Sequence, residues 1–326
     1  MKISVCIPTY KGIKLISDAV DSIISQTFQE FEVVICNDSQ EDASELKRKL
    51  EKYKDKRIKL FQNKKNLGYP LNIKKTTDKA INDVVFLMAQ DDIVLDKNLF
   101  KKVVAVLKKN PKIGAITRPY YWFNKSIKKP IRYIPKCEKR LIGSQDDKKY
   151  LVAVFETLGQ FSSLVLKKSL ITYDFKNEIF TAHIYPFLSI LRTHPCYFWE
   201  DFTVAVRTSS SQTRFLSSIY CPSPTKTWVE MFQNVFPEKK FDKIRNVGID
   251  HMTKHYVGLV QIKNYGLYKD LITDIYYLAK HRPLNLISPK FWVFVLGSLL
   301  IPRFILRKLV DWYKDNVVKK KLENIL

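Results

Sequence analysis

The stretch from Phe86 to Leu95, FLMAQDDIVL, combines an apolar strand-like run with paired charge. A strongly apolar run reaches two adjacent carboxylates, Asp91 and Asp92, and then becomes apolar again. A buried strand does not end on paired negative charge without compensation, because an unpaired charge is costly to bury. The two carboxylates therefore mark either a solvated turn that caps the next helix or a site for a cation.

The 118 residues at the start of the chain alternate between two kinds of segment. Short β-branched runs such as ISVCIPTY, FEVVICNDS and VVFLMAQDD are separated by segments with apolar residues at helical spacing, such as IKLISDAVDSIISQ. This alternation predicts an α/β fold, with a mostly parallel sheet covered by helices on both faces. Ligands of such sheets bind beyond the carboxyl ends of the strands, where Asp38 and Asp91 are expected to lie.

The rest of the chain is less regular at first. Residues 119–160 mix aromatics, lysines and prolines, which predicts a loop-rich insertion. TAHIYPFLSILRTH is expected to form a helix with an early proline, and residues 197–207 one long strand. From about residue 225 onward the pattern is mainly helical.

Composition narrows the class of protein. The 326 residues are 46% hydrophobic, enough for one large domain or a domain with an appendage. The five cysteines are odd in number and widely spaced, which indicates reduced thiols in a cytoplasmic protein, and no signal peptide is expected. The net charge of +24 favours a polyanionic partner, namely nucleic acid, anionic lipid or a phosphorylated substrate.

The residues at the strand ends favour a metal-assisted phosphate site. Neither G-x-G-x-x-G nor G-x-x-x-x-G-K-[ST] occurs, so a Rossmann cofactor or a P-loop is disfavoured. Adjacent aspartates supply the hard oxygen ligands that Mg²⁺ or Mn²⁺ takes together with a substrate diphosphate.

Four segments, taken in order, resemble the family 2 glycosyltransferases of the GT-A fold. They are SVCIPTYKG, AVDSIISQTFQEFEVVICNDSQED, NKKNLGYPLNIKKTTDKA and VVFLMAQDDIVLDKNLFKKVV. The resemblance implies transfer of a sugar from a nucleotide-sugar donor, with Mn²⁺ or Mg²⁺ on the diphosphate. It also implies a GT-A domain over residues 1–220, with a nucleotide-sugar half (1–118) and an acceptor half (119–220), followed by a helical C-terminal region (221–326).

The resemblance also assigns residues to the site. Asp91 and Asp92 are the expected metal ligands, with the principal one left open. The expected contacts to the nucleotide sugar are Pro8, Thr9, Tyr10, Asp38, Asn66, Gly68 and Asp91, together with Arg207 and Arg214 as candidates for the diphosphate.

Inverting transfer needs a general base for the acceptor hydroxyl, and the sequence offers two places for it. Glu200 and Asp201 match the family's acidic pair literally, but a strand there would turn the two side chains to opposite faces. His183 stands where a loop enters a helix, which is the family's shape for the second acid. The sequence favours His183, since histidine accepts a proton near neutral pH.

The segment from 288 to 321 has the character of a membrane-surface anchor. Its apolar run from Phe291 to Pro302 is 12 residues long, short of the roughly 20 that span a bilayer. From Arg282 to Leu326 there are nine Lys or Arg and three acids, a net of +6. Aromatic and aliphatic residues beside lysines predict a helix lying on an anionic leaflet, with a packed helix or a homodimer interface as the alternative.

The expected function is therefore glycosyl transfer at the cytoplasmic face of the cell membrane. The expected partners are a nucleotide-sugar donor, a glycan or lipid-linked acceptor and an anionic membrane surface, and not nucleic acid. Two alternatives stay open: a metal-dependent nucleotidyltransferase and a non-catalytic, basic nucleic-acid-binding protein. His251 and His255 have the i, i+4 spacing of metal ligands, but Met252 stands where a metalloprotease has its glutamate.

Overall fold

The computed structural model describes residues 1–178, 180–208, 217–313 and 316. Contacts divide the chain into two compact units. The first comprises residues 1–121, 134–146 and 153–207, and the second comprises 122–133, 147–152 and 208–326. The last boundary between the units falls after Arg207, and the segments 122–133 and 147–152 belong to the C-terminal unit. The sequence predicts the end of the first domain at residue 220.

Twelve strands and twelve helices are described. The strands are β1 (Ile3–Thr9), β2 (Phe31–Asn37), β3 (Ile58–Gln62), β4 (Val84–Leu87), β5 (Ile93–Val94), β6 (Ala115–Thr117), β7 (Tyr120–Phe123), β8 (Pro130–Ile134), β9 (Leu141–Ile142), β10 (Val165–Lys167), β11 (Cys196–Phe198) and β12 (Val204–Arg207). The helices are α1 (Ile16–Ile24), α2 (Ala43–Glu51), α3 (Tyr69–Lys79), α4 (Leu99–Lys109), α5 (Lys148–Thr157), α6 (Ile184–Leu191), α7 (Pro224–Val235), α8 (Asp242–Thr253), α9 (Val257–Tyr265), α10 (Tyr268–His281), α11 (Pro289–Leu300) and α12 (Arg303–Tyr313).

The first unit is built on an eight-stranded sheet in the order β3-β2-β1-β4-β10-β6-β11-β9. The four strands from β3 to β4 are parallel, as the alternation of strands and helices predicts. β10 runs antiparallel to both of its neighbours, so the sheet is mixed beyond β4. All seven residues of β1 and all seven of β2 are buried, which explains their continuous apolar sequence.

The register of the parallel strands brings their carboxyl ends level. Thr9 at the end of β1 pairs with Asn37 at the end of β2, and Asn37 pairs with Gln62 at the end of β3. On the other side of β1, Cys6 pairs with Leu87, the last residue of β4. The segments after these strands, which begin at Tyr10, Asp38 and Met88, therefore leave the same edge of the sheet.

Two predicted strands and one predicted loop differ from the structure. The strand expected to run from 84 to 92 ends at Leu87, because Ala89 N–H bonds the Ser162 hydroxyl, a side chain, instead of a neighbouring strand. The long strand expected over 197–207 is broken into β11 and β12. The insertion at 119–160 contains β7, whose four residues YYWF are all buried, and α5.

The second unit is mainly helical and contains α7 to α12, as the sequence predicts from about residue 225. α7 begins with a cap, since the Ser223 hydroxyl accepts a hydrogen bond from Lys226 N–H. Within the described ranges, no helix combines the length and the apolar character needed to cross a bilayer.

Candidate functional site

The turn after β1 is held by a side chain that the sequence did not single out. Gln90 Oε1 accepts hydrogen bonds from the Tyr10 amide, at 2.8 Å, and from the Thr9 hydroxyl, while its amide nitrogen donates to the Tyr10 carbonyl at 3.0 Å. Pro8 and Thr9 are buried, and the Tyr10 side chain is exposed. The segment after β4 thus fixes the shape of the segment after β1.

Asp38, directly after β2, is buried, and both of its carboxylate oxygens accept hydrogen bonds from the protein. Its Oδ1 accepts from Asn63 Nδ2 and from the Leu67 amide, and its Oδ2 accepts from the Gly68 amide, each at 2.8 Å. The exposed Asn66 side chain also accepts from the Gly68 amide, at 2.8 Å. Asp38 therefore shapes the loop that precedes α3, a role additional to the nucleotide contact that the resemblance implies.

Buried polar atoms next to this turn have unused hydrogen-bonding capacity. Ser39 Oγ, Asp42 Oδ2 and Asn63 Oδ1 are buried and have no hydrogen-bond partner in the part of the chain that the structure describes. Asp42 and Ser39 both contact the Asn37 side chain amide, and Asn63 contacts Asp38. Unsatisfied buried polar atoms are rare in folded proteins, and a bound water or ion is one way in which they are satisfied.

Asp91 and Asp92 occupy different surroundings. The Asp92 carboxylate is 1% exposed and accepts hydrogen bonds from the Ser162 hydroxyl at 2.5 Å and from the Arg207 amide at 2.8 Å. Burial, and next the charge of Asp91, raises the pKa of Asp92. The Asp91 side chain is only partly buried. Through these hydrogen bonds Asp92 links the segment after β4 to β12.

A buried arginine stabilises the loop that carries Ser162. The Arg118 guanidinium donates to the carbonyls of Thr157, Gln160 and Ser162 at 3.1, 2.8 and 2.7 Å. Burial lowers the pKa of Arg118 to about 10, which still leaves the side chain charged near neutral pH, and the Asp92 carboxylate acts in the opposite direction. Arg118 therefore provides a compensating positive charge near the aspartate pair.

Arg207, predicted as a diphosphate contact, is used within the protein. Its Nε donates to the Asp91 carbonyl at 3.1 Å, and its Nη2 forms an ion pair with Asp18 at 2.6 Å. The guanidinium therefore orders the backbone of the aspartate pair. Arg214, the other predicted contact, lies outside the described residues.

His183 is buried, and both of its ring nitrogens are bonded. Nε2 lies 2.8 Å from the Leu158 carbonyl, which can only accept, so Nε2 carries the proton. Nδ1 then accepts from the Tyr69 hydroxyl at 2.8 Å. Burial lowers the pKa of His183 to about 4. In this arrangement no lone pair of the ring is available for an acceptor proton, so the geometry argues against the predicted role as base.

Glu200 and Asp201 do not lie in a strand, which corrects the sequence interpretation. They occupy the connection between β11 and β12, are exposed, and form ion pairs with Arg140 at 3.2 Å and Lys136 at 3.0 Å. The alternation of faces that disfavoured them therefore does not apply.

Several residues that shape the candidate site are not predicted from the sequence. Gln90, Ser162, Arg118 and Tyr69 act through contacts with distant segments, and only Gln90 had a local signal, its place beside the aspartates. Across the described ranges, which include His251 and His255, no group of three or more His, Cys, Asp or Glu is arranged to hold a metal ion. A metal at Asp91 would take its other ligands from a bound molecule.

A comparison of the sequence with known families points to the same kind of protein as the strand order and the aspartate pair. The model of the family described as Glycosyl transferase family 2 matches residues 4–167, half of the chain. The chain belongs to glycosyl transferase family 2. The matched segment contains β1 to β4, the Gly68 loop and both aspartates.

Curated relatives resemble part of this family 2 chain. The putative glycosyltransferase EpsE of Bacillus subtilis is 27% identical over 110 residues, which are 33% of this chain and 39% of EpsE. WfgD of Escherichia coli, a UDP-Glc:alpha-D-GlcNAc-diphosphoundecaprenol beta-1,3-glucosyltransferase, is 26% identical over 108 residues, 33% of this chain and 42% of WfgD. An uncharacterised glycosyltransferase of Haemophilus influenzae is 29% identical over 114 residues. The matches span 35% to 42% of these three relatives.

Solved structures show the same fold. Residues 1–349 of TarS from S. aureus, in complex with UDP, align with a TM-score of 0.62 and 16% identity, over 100% of this chain and 92% of that one. The mannosyltransferase PcManGT from Pyrobaculum calidifontis, in complex with GDP-Man and Mn²⁺, aligns with a TM-score of 0.54 and 14% identity, over 96% and 87% of the two chains. The predicted GT-A fold is confirmed.

Proposed function

We propose that this family 2 chain transfers a sugar from a nucleoside-diphosphate sugar to an acceptor hydroxyl, with inversion at the transferred carbon. One observation carries the proposal. Thr9, Asp38 and Asp91 follow or end three adjacent parallel strands at the same edge of the sheet, inside the segment that the family matches. Neighbouring strands lie roughly 5 Å apart, so one nucleotide can reach all three positions.

The nucleoside would lie against the turn at Thr9 and Tyr10 and the loop shaped by Asp38. The unused buried oxygens of Ser39 and Asn63 supply hydrogen-bonding capacity beside that loop. The structural relatives carry UDP in one case and GDP-Man in another, so UDP and GDP are the two candidate nucleotides.

For the metal we propose Asp91 as the principal ligand, because both oxygens of Asp92 already bind Ser162 and Arg207. Mn²⁺ or Mg²⁺ would take further ligands from the diphosphate and water, and would offset the charge on the leaving nucleoside diphosphate. Arg207 would hold the Asp91 backbone in position.

For the base, the structure changes the order of the predicted candidates. His183 has both nitrogens bonded in the interior, whereas Glu200 and Asp201 are exposed carboxylates beyond the end of β11. β11 is parallel to β6, and both have the direction of β4, so its carboxyl end lies at the same edge as Asp91. We therefore propose that this acidic pair, and not His183, supplies the base.

For the acceptor and location, we propose a glycan or lipid-linked acceptor and action at the cytoplasmic face of the cell membrane. The lipid-linked acceptor in the name of WfgD supports the first part. The basic, apolar C-terminal region supports the second part.

Calorimetric titration with UDP and with GDP, each with and without Mn²⁺, tests the donor site. We expect one of the two nucleotides to bind more tightly with Mn²⁺ than without it. Asp91→Asn should weaken that Mn²⁺-dependent binding by at least about tenfold, because it removes the charge that attracts the metal. The melting temperature should change little, because Asn keeps the shape of the side chain.

Asp78→Asn is the matched control. Asp78 is an exposed carboxylate in α3 that pairs with Lys74, so its replacement changes the net charge equally without touching the site. Asp91→Asn protein that keeps full Mn²⁺-dependent binding would refute the metal assignment, and wild-type protein that binds neither nucleotide would refute the transferase.

A further inference from the structure

The helix α11 is apolar on two opposite sides. Phe291, Val295 and Ser298 are buried on the side that packs within its own unit, against α9. Val293 and Leu300, by contrast, are 69% and 75% exposed, and Leu296 between them is also exposed. A helix with apolar residues all round belongs in a protein core or in lipid, and half of α11 has neither.

The next helix, α12, buries Leu306 and leaves most of its other side chains exposed. Two arginines on one side are fixed to the protein: Arg303 donates to the Gly266 carbonyl at 2.9 Å and Arg307 to the Asn264 carbonyl at 2.6 Å. A surface helix normally buries its apolar side and exposes its charges. In α12 the two arginines bond the protein while staying exposed, and large apolar residues of the helix are exposed as well.

Most of the large apolar residues of α12 are exposed. Phe304 is 65% exposed, Trp312 is 61% exposed, and Leu309 is also exposed. We call the outward residues of the two helices the C-terminal apolar surface; its main members are Val293, Leu296, Leu300, Phe304, Leu309 and Trp312.

Exposed apolar side chains are concentrated in this part of the chain. Of 23 large apolar residues that are exposed within the described ranges, 17 lie between residues 257 and 313. Single exposed apolar residues are ordinary, but a concentration of this kind marks an interaction site.

The charge around the C-terminal apolar surface selects its partner. Lys290 and Lys308 are exposed beside it, and the sequence from residue 282 to the end has a net charge of +6. Two copies of this region would repel each other, whereas an anionic leaflet attracts each Lys or Arg near its surface. Trp292 and Trp312 are also exposed, and tryptophan prefers the boundary between headgroups and acyl chains.

We propose that the C-terminal apolar surface binds an anionic lipid bilayer, with α11 and α12 lying in the plane of the headgroup–acyl boundary. α11 has 12 residues and is about 18 Å long, well short of the roughly 30 Å hydrocarbon core, so it enters the boundary without crossing. The surface stands on the geometry of the second unit alone and does not depend on the proposed sugar transfer.

Sedimentation of the full chain with vesicles tests the surface. One set of vesicles contains phosphatidylcholine, and the other contains phosphatidylcholine with phosphatidylglycerol. We expect binding to the anionic vesicles, partly lost at high salt as the charges are screened, with a salt-resistant remainder from the apolar residues.

Two sets of substitutions separate these contributions. Replacing Leu300, Phe304 and Leu309 by serine should weaken binding to anionic vesicles on the order of hundredfold or more, since three apolar side chains no longer enter the lipid. Lys290→Glu with Lys308→Glu should remove the preference for anionic vesicles and leave the salt-resistant part.

The control carries three serine substitutions at exposed apolar positions elsewhere, Ile81, Ile127 and Leu141, and should bind like the wild type. All replaced side chains are exposed, and circular dichroism checks that each variant is folded. Folded wild-type protein that ignores both vesicles would overturn the proposal. So would a dimer in light scattering that the Leu300, Phe304 and Leu309 substitutions dissociate without any change in vesicle binding.

Discussion

Asp91 and Asp92 are identical neighbours to which the structure gives different tasks. The Asp92 carboxylate is buried against the Ser162 hydroxyl and the Arg207 amide, two donors that arrive from distant parts of the chain. Asp91 is only partly buried and stays the proposed metal ligand. At the scale of one residue, the local sequence suggests a metal ligand, and the partners from distant segments are the reason why we propose Asp91 and not Asp92.

His183 illustrates the same point, and its titration is testable. Its folded-state pKa of about 4 lies below the ordinary value of 6.5, so the unfolded chain binds a proton that the folded protein excludes. The stability that this residue contributes is complete above pH 6.5 and falls as the pH drops toward 4. Between pH 7 and pH 5 the loss should be about 2 kcal/mol.

We therefore expect His183→Gln to lose less stability than the wild type when urea unfolding at pH 5 is compared with that at pH 7. Between pH 7 and 8 the two proteins should show the same slope. Equal acid sensitivity would contradict the buried neutral ring.

In a transfer assay, His183→Gln should retain turnover, whereas Asp201→Asn or Glu200→Gln should lose about 10²-fold in turnover, as expected for removal of a general base.

At the scale of elements, most residues of the candidate site lie in the loops that follow the strands and not in the strands themselves. β4 stops at Leu87, and the following residues turn away to meet Ser162 and the turn after β1. The loop before α3 depends on Gly68, which has φ 78° and ψ 160° and donates its amide to Asp38. This backbone conformation is essentially restricted to glycine.

Gly68→Ala should therefore destabilise the protein by about 1–3 kcal/mol and weaken nucleotide binding. A Cβ at this position would meet only Pro70, at 3.9 Å, so the loss reflects backbone strain and not crowding. Gly258→Ala is the control. Gly258 lies in α9, where an added Cβ would meet no atom of the described residues within 4 Å, so the change should raise stability by up to about 1 kcal/mol. Urea unfolding measures both, and equal effects would refute the argument.

At the scale of the whole molecule, the five cysteines form no disulfide, as their odd number and wide spacing predict. Cys6, Cys36, Cys137 and Cys196 are buried, and Cys221 is exposed. Burial raises the pKa of the thiols of Cys6, Cys36 and Cys196, which suppresses the reactive thiolate.

Ellman's reagent should consequently titrate one thiol rapidly in the native protein and all five after unfolding in denaturant. Cys221→Ser should abolish the rapid phase and leave four thiols in denaturant. Two or more rapid thiols in the native wild type would show that the interior opens more readily than the packing implies.

The alternating half of the fold, and the sheet edge at which the proposed ligand site lies, could be predicted from the sequence. Periodicity and strand-end residues are local properties, so β1 to β4, α1 to α4, and the positions of Asp38 and Asp91 were predictable. The mainly helical C-terminal region followed from the same local pattern.

The hydrogen-bond partners of the polar side chains and the exposure of each helix face depend on the tertiary structure. The roles of Asp92 and His183 depend on Ser162, Arg207, Tyr69 and Leu158, which are distant in sequence. The exposure of the apolar residues of α12 depends on how the helix packs, with Leu306 buried and two arginines bonded to carbonyls near the end of α9. Burial and hydrogen-bond partners come from segments that meet only on folding, and no local pattern in the chain records them.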